Sequence, residues 1–283
     1  MGSDLAGTVL AVEDSCSRLK VGDQVWADIG AVVRFGSTGG GMSKGKENGA
    51  YATVAVALES QLGPMPANLG FLEAASLPKV ALTSYKALLW YGGAPYSRGN
   101  GTVLVLGGSG GTGTTGIQLA KALGASAVIT TTSAANAEYV SSLGATHAID
   151  YHSHNWFDVL ADSSVDVIYD CVGEAGTGDL AMTKLKSGGF YVTLRSALPS
   201  PSKVRSDVTS TAFINSDTNL ENLAELEALR RLVEAEQLRM PRVKPFDLSE
   251  VLVAFNESRA GRVVGKLVLV LPEPGAEQQQ KTV

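Results

Sequence analysis

The 283-residue chain carries 23 Lys and Arg against 28 Asp and Glu, a net charge of −5, and has no basic run, which argues against nucleic-acid binding. With 45% hydrophobic and 18% charged residues it has the composition of a folded globular protein, long enough for one large or two moderate domains. Cys16 and Cys171 stand far apart, and His147, His152 and His154 lack ligand spacing, so neither a disulfide framework nor a metal is expected.

Residues 1–62 are rich in Val and Gly. The stretches Gly7–Val12, Val21–Trp26 and Gly49–Val56 read as short strands separated by Gly and Asp turns. Between them, Phe35 to Asn48 is a flexible glycine-rich loop by composition. Its Gly40, Gly45 and Lys46 have P-loop spacing, but Glu47 stands where the magnesium-binding hydroxyl belongs and no apolar strand precedes it. From residue 100 onwards apolar strands are predicted at Thr102–Leu106, Ala127–Thr131, Val165–Asp170, Phe190–Leu194 and Lys266–Leu271. Helical spacing lies between them: Ile117, Ala120 and Leu123 share a face, as do Tyr139, Val140 and Leu143, and Leu220, Leu223, Leu226 and Leu229 mark an acid-studded helix. This rhythm implies an α/β fold, a parallel sheet covered on both faces. From Pro272 the chain is polar and reads as a disordered tail. No apolar run reaches the roughly 18 residues that span a bilayer, so no membrane partner is expected. The expected location is cytoplasmic, or organellar if a segment precedes residue 1.

The most informative segment runs from Val103 to Lys121. Gly108, Gly110 and Gly113 satisfy GxGxxG, directly after four apolar residues and directly before a helix pattern, which is the context that motif requires. In such a turn Gly108 permits the tight bend, Gly110 lets backbone approach a pyrophosphate, and Gly113 brings helix and strand together. NAD-type sites end the second strand in an acid. Here Thr130, Thr131, Thr132 and Ser133 occupy that end, with no acid before Glu138. Thr132, Ser133 and Asn136 can donate hydrogen bonds to a 2′-phosphate that a carboxylate would repel, so NADPH is favoured over NADH, although the loop has no Lys or Arg.

Taken together with segments before and after, these residues resemble a zinc-independent medium-chain dehydrogenase/reductase of the quinone oxidoreductase type. Gly2–Val9 is similar to the family's GxDxAGxV segment and Leu19–Val25 to its FKVGDxV turn. Gly49–Ala52, Ala74–Pro78, Leu82–Leu88, Ser142–Ala145, Ile149–Tyr151, Val165–Gly173 and Gly265–Val268 match further segments in order, so that the likeness runs from residue 2 to about 271. It implies a Rossmann doubly wound parallel sheet over residues 82–241 and a β-rich GroES-like substrate domain over 1–81 with a returning segment 242–271, leaving 272–283 as a tail. It also implies contacts. Ser109, Gly111 and Thr112, with the three motif glycines, would hold the pyrophosphate, and Thr132, Ser133, Asn136 and Tyr151 the adenosine end. Thr83, Cys171, Val172, Gly173 and Leu194 would line the nicotinamide. Tyr151 and Cys171 also have plain packing readings. Two departures stand out. No Cys, His and Glu ligand set surrounds Asp4, and the chain opens at the family's GxD segment, so that strands of the substrate wall would be missing and turnover low.

The expected reaction is hydride transfer from NADPH to a small-molecule quinone or to the C=C bond of an α,β-unsaturated carbonyl. No proton donor can be named: Tyr51 has the chemistry, but a strand tyrosine serves packing and solvent can supply the proton. A short-chain dehydrogenase is excluded, because none of the eight tyrosines has Lys four residues later. The alternative outside catalysis is a cofactor-binding sensor or scaffold with a degenerate substrate site. A homodimer is left open.

Overall fold

A computed structural model of the chain describes residues 2–30, 49–96, 101–213 and 222–272. The loop expected over Phe35–Asn48, residue Leu220 and the tail beyond Pro272 lie outside the described residues. In chain order the strands and helices are β1 (Asp4–Thr8), β2 (Gln24–Asp28), β3 (Leu62–Pro64), α1 (Phe71–Ala74) and α2 (Pro78–Lys86). They continue as β4 (Thr102–Leu106), α3 (Gly111–Ala122), β5 (Ala127–Thr132), α4 (Ala137–Ser142), β6 (His147–Asp150), α5 (Trp156–Val159), β7 (Val165–Asp170) and α6 (Thr177–Lys184). The last are β8 (Leu185–Thr193), β9 (Thr209–Ala212), α7 (Leu223–Glu234), β10 (Val243–Asp247), α8 (Val251–Arg259) and β11 (Lys266–Val270). They sort into two compact units, the first of Met1–Leu82, Asn215–Ala235 and Met240–Val283, the second of Thr83–Ile214 and Glu236–Arg239.

The first unit holds an antiparallel sheet in the order β1-β2-β3 and a parallel pair β10-β11. Its core forms where Ala27 and Ile29 meet Ala50, with Leu5, Ala57 and Leu62 packed around them. Helix α7 belongs to this unit, whereas the sequence assigns it to the Rossmann segment. The reason is local: its stripe of Leu226, Leu229 and Val233 is buried, and Leu226 lies so close to β3 that a Cβ on Gly63 would sit 2.9 Å from its Cβ. Hydrogen bonds at its end, Ala67 N to Glu234 Oε1 at 3.1 Å and Asn68 Nδ2 to Val233 O at 3.0 Å, fix the same docking. Charges tie the early and late segments together. Asp4 accepts from the Lys79 amide at 2.6 Å and from Lys266 Nζ at 3.0 Å, and Lys79 Nζ lies 3.5 Å from the buried Asp28 carboxylate.

Two strand readings fail here. The first strand is Asp4–Thr8, not Gly7–Val12; Leu10 and Val12 are exposed beyond it. Gly49–Val56 forms no strand. Val54 and Val56 face solvent, and the segment makes one ladder-like bond, Ala50 N to Gly2 O at 2.7 Å, so its alternation has no buried face to fix it.

The second unit is a six-stranded parallel sheet in the order β6-β5-β4-β7-β8-β9 with α3 to α6 between the strands. It is the doubly wound arrangement that the βα rhythm implies. Val103, Leu104 and Val105 are fully buried, as expected of a central strand covered on both faces. One core cluster joins Leu104 and Leu106 to Val165, Ile168, Ala181, Met182, Leu185 and Tyr191. Strand β8 starts five residues earlier than the apolar run at Phe190, because Leu185 pairs with Val165 across a register irregularity that takes in Lys186–Gly189, a stretch with no apolar signal.

Candidate functional site

The sheet order reverses at β4: β5 lies on one side of it and β7 on the other. At such a switch point the connections leave in opposite directions, and a crevice opens outside the carboxyl ends of the strands. The glycine turn leaves the sheet there. Gly107 has φ +80°, so the left-handed bend falls one residue before Gly108, where the sequence places it. Its amide donates to Thr131 Oγ1 at 2.9 Å, and Gly108 N donates to Thr131 O at 2.9 Å. Gly108 has a different reason to lack a side chain, since a Cβ would run into Thr130 Oγ1. A Cβ on Gly113 would run into Gly107 O and lie 2.8 Å from Gly107 C and Gly108 Cα, so this glycine does bring helix and turn together. Gly110, the residue preceding α3, is unlike either. A Cβ there would meet only Gly107 O, at 3.5 Å, so the space before the helix is open. The first-turn amides of α3, those of Gly111, Thr112 and Gly113, have no acceptor within the helix. They and the helix dipole suit an anion, which fits a diphosphate.

Thr132, Ser133, Asn136 and Tyr151 come together at the ends of β5 and β6. Tyr151 N donates to Thr132 O at 3.1 Å, and Asn136 Nδ2 to Ser133 Oγ at 3.0 Å. The Thr132 hydroxyl is buried without a hydrogen-bond partner, an orphaned group of the kind a bound polar molecule would satisfy. The Tyr151 ring is exposed and lies 4.4 Å from that of His152, tilted by 44°. The sequence finds no acid at this end of β5, but β6 brings one. Asp150 pairs in register with Thr132, and its carboxylate accepts from Ser153 Oγ at 2.8 Å and His152 N at 3.2 Å. The Ser153 hydroxyl and then the His152 amide hold its pKa below the ordinary value.

Cys171, Val172, Gly173 and Leu194 follow the ends of β7 and β8. Buried Asp170 organises them: Oδ1 accepts from Val172 N at 2.9 Å and Gly173 N at 2.8 Å, and Oδ2 from Tyr191 Oη at 2.9 Å. Leu194 N donates to Asp170 O at 3.0 Å. Gly173 has φ +74°, and Val172 is exposed beyond the strand end. Burial, followed by the neighbouring Asp170 charge, pushes the Cys171 thiol well up, so it is no thiolate nucleophile. Asp170 falls within the Val165–Gly173 segment of the family likeness, but its role in holding these amides is not written in that likeness.

Thr83 is buried in the last turns of α2. Its neighbour Ser84 carries a hydroxyl network under the turn, with Oγ 2.8 Å from Thr115 Oγ1, 3.0 Å from Thr112 O and 3.2 Å from Tyr169 Oη. The second unit therefore brings every residue expected at the cofactor to the carboxyl edge of the sheet or, for Thr83, to the helix bonded to α3. Tyr51, in the first unit, is exposed; its ring meets that of Phe255 edge-on at 6.0 Å and lies against Gly2. A cavity of about 960 Å³ in the same unit, lined by Arg18, Leu19, Pro64 and Leu223 among others, has no convergent chemistry, since the Arg18 guanidinium donates to backbone oxygens such as Leu62 O at 2.8 Å. Among the described residues no three His, Cys, Asp or Glu side chains gather as metal ligands, and no helix is long and apolar enough to cross a membrane.

Comparison with known proteins gives the same architecture. Residues 1–67 match the alcohol dehydrogenase GroES-like domain, and residues 143–269 match a zinc-binding dehydrogenase domain. The chain is similar to the 2-methylene-furan-3-one reductase of Solanum lycopersicum, with 37% identity over 95% of this chain and 62% of that one. It is also similar to the NADPH-dependent alkenal/one oxidoreductase, chloroplastic, of Arabidopsis thaliana, with 34% identity over 96% and 64%. It thus spans less than two thirds of the length of these two relatives. The solved quinone oxidoreductase of Coxiella burnetii superposes with a TM-score of 0.73 at 29% identity, covering 95% of this chain and 78% of that one. A GroES-like segment followed by a doubly wound sheet, with a glycine turn at its switch point, makes this chain a member of the medium-chain dehydrogenase/reductase family with quinone oxidoreductase-like relatives.

Proposed function

We propose that this chain is an NADPH-dependent, zinc-independent reductase of a quinone or of the C=C bond of an α,β-unsaturated carbonyl. The observation that carries the reading is the β4–α3 turn, where unbonded first-turn amides stand beside a glycine with open space before it. The acceptor class is suggested by the relatives, named as an alkenal/one oxidoreductase, a furanone reductase and a quinone oxidoreductase. Bound NADPH supplies the hydride.

This chain's own residues would bind, orient and exclude water. In this reading the amides from Ser109 to Gly113 hold the diphosphate, the Thr132, Ser133 and Asn136 side chains donate to the adenosine end, and Tyr151 covers it. Cys171, Val172, Gly173, Leu194 and Thr83 form the nicotinamide wall. Asp170 fixes that wall in advance by holding the Val172 and Gly173 amides, so little ordering is left for the moment of binding. The first unit would take the substrate role and the second the cofactor role, and solvent would supply the proton. The test is a titration with NADPH and NADH, followed by NADPH oxidation against a panel of enones and quinones, with and without a chelator. Tighter NADPH binding, with chelator-resistant turnover on some acceptor, is expected. Binding without oxidation across the panel would leave a sensor or scaffold instead.

A further inference from the structure

A 2′-phosphate is a dianion and calls for a cation, yet residues 122–183 contain no Lys or Arg. All three of the chain's histidines fall in that stretch. The structure adds an anion to the same place: Asp150, which stands in register with Thr132 and accepts from the His152 amide. The β5–β6 pairing and this local bond place His152 beside the adenosine end of the site. The His152 ring is exposed and rests against Tyr151, whose amide is bonded to Thr132 O. Resting on the NADPH reading above, we propose that His152 is the cationic partner of the 2′-phosphate and sets the preference for NADPH over NADH in a pH-dependent way.

The physical case has three parts. Imidazole is the side chain that ordinarily gains charge between pH 8 and pH 5. A phosphate arriving beside the ring favours the imidazolium, so affinity for NADPH must rise as protons are added. NADH lacks the 2′-phosphate but shares every other contact, so the ratio of the two affinities isolates this interaction. The other charged or titratable groups around the turn are Tyr151 and His154 beside it, Asp158 in α5, which accepts from Asn155 Nδ2 at 2.9 Å, and Glu138 in the first turn of α4. None of these is a Lys or Arg.

The experiment is a fluorescence titration of the full chain with NADPH and with NADH at pH 8.0 and pH 6.5, a window in which the phosphate keeps most of its charge. The NADPH/NADH affinity ratio should rise about threefold on acidification, the size of one exposed ion pair. His152→Gln should flatten that rise, His152→Lys should give the high ratio at both pH values, and His154→Gln should behave as the parent. A preference for NADPH whose pH response survives His152→Gln overturns the assignment of His152 while leaving the cofactor reading intact. Tighter binding of NADH at both pH values overturns the cofactor reading and the assignment together.

Discussion

Gly110 and Gly113 stand three residues apart in one motif, and the structure gives them opposite sensitivities to a single methyl group. At Gly113 an added Cβ meets backbone, the Gly107 carbonyl and, at 2.8 Å, the Gly108 Cα. Backbone cannot rotate away, so Gly113→Ala must push the turn off the helix. Overpacking of this kind costs about 1–3 kcal/mol. At Gly110 the nearest atom to an added Cβ is 3.5 Å away, an ordinary contact, and the backbone has φ −74°, which alanine adopts without strain. There the loss of helix-end preference for glycine and the gain from a stiffer unfolded chain nearly cancel, leaving less than about 1 kcal/mol. If the diphosphate approaches the backbone at this point, the methyl group takes its space, and affinity should fall at least about tenfold, or 1.4 kcal/mol. Urea unfolding and NADPH titration of both variants form the assay. Gly110→Ala should be stable but weak in binding, whereas Gly113→Ala should lose stability. Parent-like affinity in Gly110→Ala would remove the diphosphate from this turn, and parent-like stability in Gly113→Ala would refute the backbone-contact argument.

Ser133→Asp should weaken NADPH about tenfold and NADH much less, by setting a charge beside the 2′-phosphate; equal effects in the two titrations would take Ser133 out of the site. Asp170→Ala should cost about 2 kcal/mol in urea unfolding because it leaves the Val172 and Gly173 amides without their acceptor, the Tyr191 hydroxyl keeping Ala197 O, while Asp170→Asn, which keeps one acceptor for the amides, should cost much less. The Arg230 guanidinium, aided by Arg231, holds the Glu227 carboxyl down at about 2. Its folded-state pKa is thus depressed, so its contribution is whole above the ordinary value of 4.5 and is lost as pH falls from there towards 2. Glu227→Gln should therefore reduce the urea midpoint at pH 6 slightly and hardly at all at pH 2.5. Because the pair is partly exposed, the effect should shrink in high salt.

Four of the six strands of the second unit are legible in the sequence; the short edge strands β6 and β9 are not. Strands β4 and β7 coincide with their apolar runs, because a strand buried on both faces has to be apolar throughout and turn residues bound it sharply. The first unit was harder to read, since half-buried strands rely on alternation, and Gly49–Val56 alternates without a sheet to join. Helix α7 was recognisable as a helix from its leucines, but period alone does not say which core the stripe faces. In the site, the glycine turn was visible because a positive φ and a close approach both demand glycine. The roles of Asp150 and Asp170 were not, because each holds amides of the turn just after its strand, and only the fold sets those turns at the edge of the sheet.

The ion pair between Asp4 and Lys266 joins positions 262 residues apart, and β10 and β11, part of the same unit, come from the end of the chain. Synthesis from the N-terminus therefore delivers the two units out of step. All but four of the residues of the parallel-sheet unit have been synthesised by residue 214, and the remainder by residue 239, whereas Asp4 waits for Lys266 to be added before it finds this partner. Until then β1 has its pairing with β2 and Asp4 the Lys79 amide, but the Lys266 ammonium and the β10–β11 pair are still to come. The early strands are thus the part of the nascent protein that a chaperone would have most time to meet.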